Sequence, residues 1–113
     1  MNIEMGAGVD GSKVVAALGA LAQEHRLALF RLLVQAGADG MAAGALSAAL
    51  DLPASSTSFH LAQLSHAGLV AQRRQGRSII YSADYAAMNG LMDYLTQNCC
   101  GGVPCLPDVA CPC

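Results

Sequence analysis

All five cysteines of this 113-residue chain lie beyond residue 98, and three of them crowd into Cys99-Cys100-Gly101-Gly102-Val103-Pro104-Cys105. A thiolate is both a soft ligand and a nucleophile, so such a cluster suits a metal ion, a redox exchange or a disulfide. A single cysteine inside a core is only a small hydrophobe. Met1 to Gly11 has neither a basic start nor an apolar run, so no signal peptide is visible. The apolar stretch around Val14 to Ala22 is too short to span a membrane, so no membrane partner is expected. The expected location is the cytoplasm, where thiols stay reduced and clustered cysteines serve metals or catalysis rather than structural bridges.

A second group of residues suits phosphate. The formal charge is −2, yet no acidic residue occurs between Asp51 and Asp84. That window holds Arg73, Arg74 and Arg77, half of the six Lys and Arg residues, together with His60 and His66. A local basic stripe on a near-neutral chain is a phosphate footprint. A solvated arginine cluster is the plainer alternative, and charge by itself does not separate the two. Enzyme chemistry has little to work with. There is no phosphate-binding loop, no nucleotide-binding glycine pattern and no base beside the thiols, so the chain is expected not to be an enzyme.

The elements that position these residues follow from periodicity. A mobile N-terminus is expected over 1–11. Ser12 caps a helix to about Leu21 carrying Val14, Val15, Leu18 and Leu21. A second helix runs from about Gln23 to Val34 with a stripe of Leu27, Phe30, Leu33 and Val34. Gly37, Asp39 and Gly40 make a turn. A short third helix ends at Leu50, and Asp51-Leu52-Pro53 breaks it, with Asp51 in the N-cap region and Pro53 in the first turn of a fourth helix that runs to His66. Leu61 and Leu64 face inward there; Ser55, Ser56, Ser58, Phe59, Ala62 and Gln63 fall largely opposite. Leu69 to Tyr81 alternates as a hairpin turning at Gln75-Gly76, with the arginines at its tip. A fifth helix runs from about Asp84 to Asn98. The fold class is mainly α with a small β-hairpin: a winged helix-turn-helix of five helices and a two-stranded wing. It occupies 12–100 and is followed by a Gly/Pro/Cys-rich tail over 101–113.

A helix that enters the major groove presents its N-terminal residues to base edges. Here those residues are Ser55, Ser56 and Ser58, with Gln63 one to two turns on. Arg73, Arg74 and Arg77 stand beside them for backbone or minor-groove contacts. Serines early in a helix also serve as caps, and His60 suits either a phosphate contact or packing between helices. The combination in this order favours double-stranded DNA as partner.

Ser58-Phe59-His60-Leu61-Ala62-Gln63-Leu64, then Ala67-Gly68-Leu69-Val70, then Arg73-Arg74-Gln75-Gly76-Arg77 and Tyr81, resembles the ArsR/SmtB family of bacterial metalloregulators over roughly residues 13–100. The resemblance implies a homodimeric repressor that binds operator DNA without a cofactor when metal-free and releases it when metal binds. It also implies a dimer interface on the first and last helices, here Leu18, Leu21, Leu91 and Leu95.

The family's Cys-x-Cys arsenic site near the recognition helix is absent, since Leu50, Asp51 and Leu52 stand there. Its zinc site on the last helix is also absent, because no histidine follows His66. Tyr94 to Cys100 resembles a subset of arsenic repressors with a cysteine pair at this place and a third cysteine shortly after. That resemblance implies Cys99, Cys100 and Cys105 as ligands of trivalent arsenic or antimony. Residue chemistry agrees. Neighbours on a helix diverge by about 100°, so Cys99 and Cys100 need the Gly101-Gly102 turn to meet. Zinc prefers four ligands, whereas three thiolates suit a pyramidal ion. Cys111 and Cys113 leave zinc, cadmium or lead open by offering further sulfurs. A thiol redox switch is the other alternative, although a helix C-terminus without nearby cations does little to stabilise thiolate.

Overall fold

The computed structural model describes residues 4–5 and 9–97, with side chains from residue 11 onward. Within 1–11, expected to be mobile, Glu4–Met5 (β1) pairs antiparallel with Val9–Asp10 (β2). Five helices follow: α1 Gly11–Leu21, α2 Glu24–Ala36, α3 Ala43–Leu50, α4 Ala54–His66 and α5 Tyr85–Thr96. Between α2 and α3 lie one 3-10 turn, Gly37–Asp39, and a short strand, Met41–Ala42 (β3). The hairpin, Val70–Gln75 (β4) and Ser78–Ala83 (β5), separates α4 from α5.

Leucine spacing builds the core. Leu29 and Leu33 of α2, Leu46 of α3, and Leu61 and Leu64 of α4 are all 0 % exposed. Each such leucine contributes roughly 1.5–3 kcal/mol through burial. On α2 the buried stripe is Leu29, Phe30 and Leu33, while Leu27, expected inside, is exposed. The buried stripe of α1 is Val14, Ala17 and Ala20. Alanines let this helix approach closely, and Val15 and Leu18, expected in its apolar stripe, turn outward instead.

Side chains close the helix starts. The Gln23 side chain caps α2 by accepting from the Arg26 amide at 3.0 Å. Asp84 caps α5 by accepting from the Ala87 amide at 3.0 Å. The Tyr85 hydroxyl then donates to the Val34 carbonyl at 2.8 Å, docking the start of α5 on the end of α2.

The wing is wider than a hairpin. The sheet order is β3-β5-β4, all antiparallel, because Met41 and Ala42 pair with Tyr81 and Ile80. Gly40 makes this third strand feasible: it has φ +68°, and a Cβ there would collide with the Tyr81 carbonyl oxygen. Gln75 pairs with Ser78, so the loop is Gly76-Arg77, one residue later than expected. Gly76 alone has positive φ, as a type II′ turn requires of its first loop position.

Candidate nucleic-acid interface

The joint between α3 and α4 is tight. Asp51 is not an N-cap; it ends α3 in the left-handed region at φ 53°, and Pro53 occupies the N-cap of α4 in extended conformation. Across the joint, the Ser47 hydroxyl donates to the Thr57 hydroxyl at 2.8 Å. Thr57 in turn donates to the Pro53 carbonyl at 3.1 Å. Thr57 is the one buried polar side chain among the described residues, at 0 % exposure. Both its polar bonds are thus made inside the core, where an unmade one would be costly. Neither Ser47 nor Thr57 stands out by composition. The available signal was that Thr57 shares the stripe of Leu61 and Leu64 at i+4 and i+7.

The faces of α4 divide the expected DNA residues. Ser55, Ser58, Phe59 and Ala62 are exposed. Ser56, His60 and Gln63 are half-buried. Gln63 lines a recess with Ala16, Gly19 and Ala20 of α1 and Arg26 of α2, so it lies on the flank toward those helices rather than on the outer face. No side chain caps the N-terminus of α4, and no acidic residue sits in its first turn. Its leading amides therefore present the positive end of the helix dipole beside the serines.

His60 is wedged between helices. Its ring lies 5.8 Å from that of His25 on α2 and 5.7 Å from that of Phe59, centroid to centroid. Its Nδ1 is enclosed without a hydrogen-bond partner, as is Nε of Arg26. Burial pushes the imidazole below its usual value, and the charges of Arg26 and His25 push it further. His60 thus packs against α2 while remaining partly accessible.

The wing arginines have different tasks. Arg73 does not extend from the tip. It donates to the carbonyls of Asp39 at 2.9 Å and Ala38 at 3.4 Å, clasping the 3-10 turn. Gln72 donates to Ser65 at 3.1 Å, which joins β4 to α4. Strand alternation puts Arg74 on the same face of β4 as Gln72, the face toward α4. Arg74 and Arg77 are both exposed.

The expected interface leucines also separate. Leu18 and Leu95 are 42 % and 57 % exposed, alongside exposed Val15 and Met92. Leu91 is instead buried in the chain's own core and Leu21 packs against it. Cys99, Cys100, Cys105, Cys111 and Cys113 lie outside the described residues. Among the described residues no group of three or more His, Cys, Asp or Glu could hold a metal ion, and no helix is long and apolar enough to cross a membrane.

A helix-turn-helix domain family matches residues 21–73. Two curated relatives match most of the chain. The HTH-type transcriptional regulator YgaV of Escherichia coli (strain K12) is 34 % identical over 70 % of this chain and 80 % of its own length. The transcriptional activator HlyU of Vibrio cholerae is 30 % identical over 80 % and 82 %. Among solved structures, an ArsR-like transcriptional regulator from Rhodococcus sp. RHA1 superposes with a TM-score of 0.67 at 27 % identity, covering 74 % of this chain and 76 % of that one. The homodimeric winged helix-turn-helix DNA-binding domain of a possible ArsR-family regulator from Mycobacterium bovis gives 0.61 at 28 %, covering 77 % and 81 %. A possible transcriptional regulator for arsenical resistance gives 0.63 at 29 %, covering 71 % and 80 %.

Proposed function

Because the chain belongs to the ArsR family of winged-helix transcriptional regulators, we propose that it is a homodimeric, cytoplasmic repressor that binds operator DNA and releases it when trivalent arsenic or antimony occupies Cys99, Cys100 and Cys105. The observation that carries the DNA half is the outer face of α4. Ser55 and Ser58 sit there beside uncapped amides, and the wing adds exposed Arg74 and Arg77, in a window with no carboxylate. Amides and arginines supply phosphate contacts that fix position, and short polar side chains reach base edges.

The dimer reading rests on apolar side chains exposed on α1 and α5: Val15, Leu18, Met92 and Leu95. The Mycobacterium bovis neighbour is described as homodimeric. A twofold pair of recognition helices would read half-sites about 34 Å apart.

The inducer half rests on the cysteine spacing and on the likeness to a possible regulator for arsenical resistance. Loss of a hundredfold in affinity needs only about 2.7 kcal/mol of coupling. The experiment selects an operator from random duplex DNA, then titrates it under reducing conditions with and without arsenite. The parent is expected to release DNA with arsenite. Serine at Cys99, Cys100 or Cys105 abolishes release and keeps apo binding, while serine at Cys111 and Cys113 together changes little. Release by zinc, cadmium or lead alone, or by a thiol oxidant alone, would replace the arsenic reading with a four-sulfur metal site or a redox switch.

A further inference from the structure

Phe59 has no place in the core and no polar tip, yet it sits on the recognition helix at 58 % exposure. Its position is not peripheral. At about 100° per residue it lies roughly 170° from the mean direction of the buried Thr57, Leu61 and Leu64. Ser55, one turn earlier, and Ser58 flank it, and Ala62, one turn later, leaves open space beside the ring. On the inner side His60 meets it in a tilted edge contact, with interplanar angle 63°, and His25 backs His60 in turn. The ring is thus braced from behind and bare in front.

We infer that Phe59 is a specificity-determining residue that recognises the 5-methyl group of a thymine in the major groove of each operator half-site. This rests on the DNA-binding reading above. Base edges in that groove are donors and acceptors with one apolar exception, the thymine methyl. An exposed phenyl ring can add nothing to a hydrogen-bonding edge, and seating it against an amino or carbonyl group would strip that group of water without a replacement. Against a methyl it buries apolar area on both sides. The surrounding charge also selects nucleic acid over an acidic or neutral protein surface as the occupant. There is no carboxylate on α4 or the wing, Arg74 and Arg77 of the wing are exposed, and no side chain caps the leading amides of α4. A ring braced by His60 loses little side-chain freedom on binding, which favours discrimination.

The test uses the full-length chain and its selected operator. Each thymine of a half-site is exchanged in turn for deoxyuridine, which removes the methyl and leaves every hydrogen-bonding atom in place. One position per half-site is expected to lose about fourfold in affinity, corresponding to roughly 0.8 kcal/mol for one buried methyl-sized group. Phe59→Ala binds the thymine and deoxyuridine operators equally, and Phe59→Leu keeps part of the preference. Because Phe59 is outside the core, both variants should retain the parent's thermal unfolding profile. If no exchange affects the parent, or if Phe59→Ala keeps the full methyl preference, the assignment is overturned while operator binding stands. If the parent selects no sequence at all, the DNA-binding reading falls first and this one with it.

Discussion

Ser47 and Thr57 share a 2.8 Å hydrogen bond that fastens α3 to α4 from inside the core. The second hydroxyl bond, from Thr57 to the Pro53 carbonyl, clamps the joint itself. The angle of the recognition helix is therefore set by two side chains that never reach its outer face. Thr57→Val keeps the shape and removes the hydroxyl, so the Ser47 hydroxyl loses its acceptor. A loss of about 1–2 kcal/mol is expected in urea unfolding. Adding Ser47→Ala should recover part of it, a non-additivity that a double-mutant cycle measures directly. Full additivity would mean the bond carries no stability.

Arg73 should behave unlike its neighbours. Its guanidinium is occupied with the Ala38 and Asp39 carbonyls, so Arg73→Ala is expected to loosen the wing at a cost of about 1 kcal/mol or less. Arg74→Ala and Arg77→Ala should each flatten the plot of log affinity against log salt by about one unit, with stability unchanged. Salt titrations of the three variants check this. A slope change confined to Arg73→Ala would reverse the assignment.

His60 gives the chain a pH-dependent stability. Its folded value lies below the ordinary 6.5 through burial first, then through Arg26 and His25. As pH falls through 6.5, the unfolded chain takes up this proton before the folded chain does. Stability is therefore greatest above that pH, declines as pH falls toward the folded value, and is flat below it. His60→Gln should remove this component, seen as a smaller difference between urea midpoints at pH 7.5 and 5.5. An unchanged difference would place the pH dependence elsewhere.

Leu18→Glu together with Leu95→Glu puts like charges on the exposed face of α1 and α5 while sparing buried Leu91. A monomer by sedimentation is expected, with native helix content and weaker operator binding. A dimer that survives would mean that this face is not the interface.

Legibility in the sequence followed the size of the side chains. Leu61 and Leu64 placed the inner face of α4, and the glycine turn placed the wing, because leucine spacing and positive φ leave strong local marks. On α1 the marks misled: Ala17 and Ala20 are buried while the larger Val15 and Leu18 are not. An alanine is equally at home on either face, so its burial is decided by the neighbour helix. Arg73 and Arg74 differ by one step along a strand, and a one-residue change of register exchanges their faces. That register is fixed by pairing with β5, a non-local event. β3 was silent for another reason, since two residues cannot display a period. The Ser47–Thr57 bond joins positions ten apart and has no sequence signature beyond the apolar stripe Thr57 shares.

The segment from Val34 to Asp39 receives two anchors from different elements. Tyr85 at the start of α5 holds the Val34 carbonyl, and Arg73 in the wing holds the carbonyls of Ala38 and Asp39. The intervening chain is the last helical turn of α2 and a 3-10 turn, with little slack to absorb movement. Tyr85 and Arg73 thus tie the start of α5 and strand β4 to one short segment, a connection that does not run through α4.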